Sequence, residues 1–225
     1  KRKSFTSCGN RNKGSMKKVF IPLIVIVISF VSFAQKQNEV RASMGIDFVS
    51  VPDLKDYLER NYTDVLSDFS SAVNFSGSYG RMIGETSQLE LELGYLLNSY
   101  NESSVGGNYD LTYSLLMPSL LYNYVIDGKG YNFKFGGGAG LRLLSITEKL
   151  PADPNDYNYS SFGFGFILRG VGNTALSQDV FAHIGADVRY DVIGKPEETT
   201  DTNSIGNVNF SSLSFGIRLG ISYQF

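Results

Sequence analysis

The chain has 225 residues, a formal charge of −2 and 19% charged residues, a balance that excludes a strongly basic nucleic-acid binder. A single cysteine excludes a disulfide framework. What departs from average is 16 Phe, 14 Tyr and 24 Gly with one His and no Trp, an inventory that favours strands and tight turns over helices.

Met16, Lys17 and Lys18 precede an apolar run over 19–33 that ends in Ser32-Phe33-Ala34. A basic n-region, a short apolar h-region and small residues at the cleavage positions predict a secretory signal peptide over 16–34, cut after Ala34. The run is short for a membrane-spanning helix, which argues against an uncleaved anchor. Residues 1–15 then read as an extension upstream of the true start at Met16, and 35–225 as one exported domain. Cleavage removes seven basic residues and no acidic ones, leaving 13 against 22 and a formal charge of −9, so no nucleic-acid partner is expected. It also removes Cys8, and with it any thiol, disulfide or lipid anchor.

From residue 40 onward apolar and polar residues alternate with period two, the mark of strands with two unlike faces. The first strand covers 40–48, with Val40, Ala42, Met44, Ile46 and Phe48 on one face and Arg41 and Asp47 on the other. A second is expected over about 73–82, and a third carries Leu89, Leu91, Leu93, Tyr95 and Leu97 opposite Glu90 and Glu92. The fourth, 111–125, contains Pro118, where a change of phase predicts a bulge. The fifth, 131–143, sets Phe133, Phe135 and Leu141 against Lys134, Gly138 and Arg142. In the sixth, Phe162, Phe164, Phe166 and Leu168 oppose Gly163, Gly165 and Arg169. The seventh places Ala182, Ile184, Ala186, Val188 and Tyr190 against His183, Asp187, Arg189 and Asp191. The eighth alternates Phe215, Ile217, Leu219, Ile221, Tyr223 and Phe225 with Arg218 and small residues.

Connections after strands two, four and six are short, at 84–86, 127–130 and around 172–174. Those after one, three, five and seven are long and polar, near 49–70, 99–108, 145–160 and 192–207. This alternation puts all long loops at one end of an all-β, eight-stranded antiparallel up-and-down barrel.

A soluble barrel would carry long solvated side chains on its polar face. Here that face is rich in glycine and serine, which suit the narrow interior of eight strands, so the apolar face is predicted to meet lipid and the barrel to be transmembrane. The mixed charges inside must be paired. We therefore expect a luminal polar network of Glu90, Glu92, Lys134, Arg142, Arg169, His183, Asp187, Arg189 and Arg218, with Arg41, Asp47 and Asp191 on the same face. Tyr95, Tyr109, Tyr124, Tyr131, Tyr190 and Tyr223 lie near strand ends, where interfacial girdles sit.

With its alternating last strand and terminal Phe225, the chain resembles the small outer-membrane barrels of the OmpA membrane-domain, OmpX and OmpW type. The resemblance implies location in the cell outer membrane, contact with outer-membrane lipid, and recognition of Tyr223 and Phe225 by the outer-membrane assembly machinery. It implies no defined activity.

His183 would have to serve any lipid-modifying hydrolase or acyltransferase as its base, but Asp187 is about 13 Å along the same strand at ~3.3 Å per residue. A hydrogen-bonded luminal histidine is the simpler reading. Residues 53–62 place Leu54, Tyr57, Leu58 and Tyr62 on one helical face and predict a short helix that caps the mouth. The acidic stretches 151–156 and 197–201 lack a calcium-loop spacing, and no P-loop, dinucleotide or zinc motif occurs, so no metal or cofactor is expected. Partners are sought instead through the long loops, at the surface or in an envelope assembly. A narrow channel or ligand-carrying barrel is the remaining alternative.

Overall fold

The computed structural model describes residues 38–61, 67–104, 107–151, 155–196 and 205–225, for 102–104 and 107 the backbone alone. The expected extension 1–15 and signal peptide 16–34 lie outside the described residues. In chain order the elements are β1 (Asn38–Ser50), α1 (Pro52–Asn61), β2 (Ser70–Met82), β3 (Ser87–Ser104), β4 (Gly107–Gly128), β5 (Tyr131–Lys149), β6 (Asp156–Ala175), β7 (Val180–Ile193), a 3₁₀ turn (Ile205–Asn207) and β8 (Ser212–Gln224). Each strand pairs antiparallel with its sequence neighbours, and β8 pairs with β1 to close the barrel. At the seam Asn38 N donates to Phe225 O at 3.1 Å and Phe225 N to Asn38 O at 3.0 Å, so closure extends to the last residue.

Period two dictates the two faces. Met44, Leu91, Tyr122, Phe135, Phe166, Ile184 and Leu219 point outward and are exposed, while the intervening charged side chains are buried. On β5 the outward apolar run goes from Phe133 to Leu143; ten rises of ~3.3 Å tilted by about 40° give a belt roughly 25 Å tall, the height of a transmembrane barrel band. Above it the outward residues of β5 become Ser145, Thr147 and Lys149. In register beside them stand Ser114 and Thr112 on β4 and Ser160 and Asn158 on β6. The belt therefore ends along one line across three strands.

β3 to β6 run 18 to 22 residues, whereas β1, β2, β7 and β8 run 13 or 14. One side of the barrel thus stands taller than the other. Much of 99–108 and 145–160, expected as loop, is strand: β3 and β4 meet across residues 105–106, and β5 runs to Lys149. The reason lies on the inner face. Tyr109, Leu111, Tyr113, Leu115, Leu144 and Ile146 point inward toward the long-loop end and join a core with α1 and the segment after the 3₁₀ turn.

That inner core explains two further corrections. No bulge forms at Pro118, because the β3–β4 register is unbroken from Ser87 to Ser104 and the β4–β5 register resumes at Ser119 in the same phase. The apparent phase change is the strand leaving the apolar belt: its outer face turns polar at Ser114 and Thr112, and its inner face, mixed from Ser119 to Val125, becomes continuously apolar. Tyr109 is fully buried in this core and is no girdle residue, while Tyr95, Tyr124, Tyr131, Tyr190 and Tyr223 are exposed on the outer wall.

The connections at the other end are tight. Lys129 and Gly130 alone join β4 to β5, and Gly130 adopts φ 81°, a left-handed conformation that costs glycine little. The expected turn at 172–174 is instead strand, since Asn173 faces inward and donates to Asn132 Oδ1; the chain reverses at 176–179, where Leu176 N bonds Val180 O.

These positions separate belt from extension energetically. Phe166→Arg, outward on β6 near mid-belt, should lower unfolding free energy in a bilayer by roughly 2–4 kcal/mol, and Thr112→Arg above the belt by about 0–1. Urea titration of the barrel in phospholipid vesicles measures both; equal losses would contradict the placement of the belt.

Candidate functional site

The lumen is the candidate site, and its charged side chains are stacked in three tiers. The lowest tier holds Glu39, Arg41, Glu90 and Lys134. Arg41 Nη2 lies 3.2 Å from Glu39 Oε1 and 3.1 Å from Glu90 Oε2, and Lys134 Nζ pairs with Glu39 Oε2. Gln88 donates to Glu39 at 3.2 Å and Asn123 to Glu90 at 3.0 Å, which occupies the remaining carboxylate lone pairs.

In the middle tier Arg169 grips Glu92 in two parallel bonds of 2.5 and 2.7 Å. Arg218 lies between Glu92, at 3.3 Å, and Asp187, at 2.8 Å. The fork geometry of guanidinium matches a carboxylate at both oxygens, so the Arg169–Glu92 pair is strong and directional. Arg169 also reaches Glu90 at 3.5 Å, linking the lower two tiers.

The upper tier is Asp47, Arg142, Arg189 and Asp191. Arg189 bridges Asp47 at 3.0 Å and Asp191 at 3.1 Å, and Arg142 Nε pairs with Asp191 Oδ1. Asn74 donates to Asp47 at 2.6 Å. Gly165 and Gly216 belong to this arrangement through what they lack. A Cβ on Gly165 would collide with Asp191 and Arg142, and one on Gly216 with Asp47.

Each tier therefore carries two carboxylates and two cations, six of each among the described residues, all at most 8% exposed. Burying an ion costs several kcal/mol unless a partner and hydrogen bonds compensate it. Neutrality within every tier keeps each charge beside its opposite.

Above the upper tier the lumen turns apolar. Leu54, Tyr57 and Leu58 of α1 are buried against Leu111, Tyr113, Leu144 and Ile146 of the tall wall, together with Ile205, Val208 and Phe210. Phe210 meets the ring of Tyr113 edge-on at 5.9 Å between centroids. At the junction of this plug with Arg189 and Asp191 a cavity of about 10 Å³ remains, near the lower limit for one water. α1 is pinned on its outer side by Lys55, which pairs with Asp68 and with Glu59 at 3.8 Å. The hydrogen bond between them raises the Lys55 pKa and lowers that of Asp68.

Of the expected network, Glu90, Glu92, Lys134, Arg142, Arg169, Asp187, Arg189 and Arg218 all fall into the tiers. His183 does not join an ion pair. It is 5% exposed beside Gly220, and its Nδ1 has no hydrogen-bond partner. Sequence reasoning misses Glu39, which stands one residue before the alternation becomes readable. It also misses Glu148, the buried carboxylate outside the tiers.

Glu148 lies above the belt at the mouth, 3% exposed, and its Oε1 accepts hydrogen bonds from Tyr57 at 2.9 Å and Tyr109 at 2.8 Å. It ties α1 to the tall wall. Burial raises its pKa, the two hydroxyls opposing that only in part.

No protein-family model matches this sequence, and neither does any curated protein. Among solved structures the chain is similar to Neisserial surface protein A, at 16% identity and a TM-score of 0.50, over 86% of this chain and all of that one. It is also similar to a major outer membrane protein from Thermus thermophilus, at 12% identity and a TM-score of 0.51, over 84% of this chain and 99% of that one. At such identities the likeness is one of fold: a closed, antiparallel, up-and-down eight-stranded barrel.

Two outcomes follow from the geometry. Glu92→Gln leaves Arg169 and Arg218 short of a counter-charge and should cost about 3–5 kcal/mol, read as a lowered denaturant midpoint in detergent micelles. For Glu148 the raised pKa means that the docked state holds its proton more tightly than the undocked one. Docking is then strongest below the ordinary glutamate range near pH ~4 and weakens as pH rises through the raised value. Hydrogen exchange of the α1 amides should quicken accordingly, beyond the intrinsic pH dependence, and Glu148→Gln should abolish that extra slope.

Proposed function

We propose that this chain is an integral protein of the cell outer membrane, non-enzymatic, with its tall wall and plugged mouth facing outward. The observation that carries this reading is the continuous apolar belt on the outside of a closed sheet whose twelve tier charges are turned inward. Among sheets, only a closed barrel satisfies every backbone group in hydrocarbon. Water on both sides of such a sheet would leave a ring of Phe, Leu and Ile solvated, far beyond the apolar patch that a soluble monomer exposes. A signal peptide cut after Ala34 would deliver the chain to the envelope. Tyr223 and Phe225, both exposed and stacked at 5.8 Å between ring centroids, would present the C-terminal strand to the assembly machinery.

Within that reading the barrel serves the membrane structurally, presents its outward wall to a surface or envelope partner, or both. The neutral tiers and the apolar plug favour a closed lumen over a channel. The buried, unpartnered Nδ1 of His183 gives no support to a lipid-modifying activity, since no carboxylate orients the ring.

The deciding test pairs fractionation with gel mobility. The protein should sediment with outer membranes and run as an SDS-resistant band that shifts on boiling; a soluble, unshifted protein would overturn the reading. In planar bilayers it should conduct no ions, and His183→Ala should leave lipid A composition unchanged.

A further inference from the structure

Two depressions on the outer wall lie one above the other. The lower is a groove of about 580 Å³ across β5 to β8 and β1, walled by Phe48, Phe135, Leu168, Phe215 and Ile217, with Gly170 and Ala186 on its floor. Register explains its form. Phe48, Phe215, Val188 and Leu168 make one outward row across four strands, and Ile217, Ala186, Gly170 and Phe135 make the next. The second row sinks where glycine and alanine replace large side chains.

The upper depression, about 300 Å³, is lined by Ser50, Asp53, Tyr190, Asn209 and Leu213 among others. Ser50 pairs with Leu213 and Leu213 with Tyr190, each two residues beyond Phe48, Phe215 and Val188 toward the long-loop end. The upper pocket, with its Ser50, Asp53 and Asn209 polar groups, therefore begins one row, ~7 Å, above the apolar groove. Both volumes are in the range of ligand sites.

We propose that this face binds one glycolipid molecule, its neutral sugar headgroup in the rim pocket and an acyl chain in the groove beneath. The proposal rests on the outer-membrane reading above. The chemistry of the rim selects the headgroup: among the described residues the pocket has no Lys or Arg, and its one charge is the Asp53 carboxylate, which repels a bare phosphate. Asn209 Oδ1 accepts from Ser211 N at 2.9 Å, which fixes the amide and leaves its Nδ2 as a donor in a pocket that Asp53 also lines. A donor, an acceptor and the Ser50 hydroxyl suit a diol. The Tyr190 ring, 52% exposed, offers the apolar face on which a pyranose rests. A free sugar would leave the groove unused, and a free fatty acid would bring its carboxylate against Asp53.

The experiment uses the full barrel in phosphatidylcholine nanodiscs doped with either monoglucosyl diacylglycerol or phosphatidylglycerol, with retained lipid counted by native mass spectrometry. The expected result is one glucolipid retained in preference to phosphatidylglycerol. Ala186→Phe, which fills the groove from outside, and Asp53→Ala with Asn209→Ala at the rim should each cut retention about tenfold. Both variants leave the luminal tiers intact, and the heat-shifted band reports that each is folded. Equal retention of the two lipids, preference for phosphatidylglycerol, unaffected variants, or displacement of the lipid by maltose alone would each overturn the proposal. A wild-type chain that never enters the bilayer would overturn the membrane reading and this proposal together, a failure distinct from a folded barrel without preference.

Discussion

In hydrocarbon an unpaired backbone amide has nothing to bond with, and from that constraint the rest of this structure follows. The sheet must close, and the β1–β8 seam does so from Glu39 paired with Gln224 to Ser50 paired with Leu213. Eight strands leave a lumen just wide enough for side chains. Charges placed there cannot reach water, so each needs its opposite at the same height, and three neutral tiers result. Bulk is rationed for the same reason. Gly165 and Gly216 stand where the paired side chains of Asp191, Arg142 and Asp47 take the space that a Cβ would need.

The constraint relaxes where the bilayer ends. On β4, Leu120, Tyr122 and Tyr124 face outward within the belt, while Thr112 and Ser114 face outward above it; inside, a mixed run of Ser119, Leu121, Asn123 and Val125 gives way to Tyr109, Leu111 and Tyr113. The strand keeps its register throughout, and only its surroundings exchange. Below the boundary the outer face is apolar and the inner face carries the charged tiers. Above it water is outside, and a hydrophobic core of the ordinary kind forms within. α1 closes that core because its Leu54 and Leu58 find a cluster of apolar partners there.

How much of this is legible in the sequence follows from the same inversion. Strands with strict alternation, such as β5 and β7, and the luminal charges on them, are plain because one environment acts along each of their faces in the membrane. Pro118 misleads, since a reader who assumes one environment per face must turn a change of environment into a change of phase. The same assumption sends Tyr109 to a girdle. The turn after β6 is expected too early because Gly172, Asn173 and Thr174 have the composition of a turn; only the Asn132 and Asn173 pairing across β5 and β6 makes them strand. Glu148 carries no local signal, as its partners Tyr57 and Tyr109 are 91 and 39 residues away. The rim pocket joins Asp53 to Asn209, a proximity that barrel closure alone creates.

A lumen filled in this way also determines where chemistry can act. Each tier balances its own charges, and the plug occupies the approach from above. The surfaces that stay open are the polar outer face of the tall wall and the low side, where shorter strands bring the rim down to the belt. On that low side Ser50 and Asp53 come within a row of Phe48. The unequal strand lengths that raise one wall thus set a polar rim directly above an apolar groove on the other, the order of chemistry that a lipid presents from headgroup to chain.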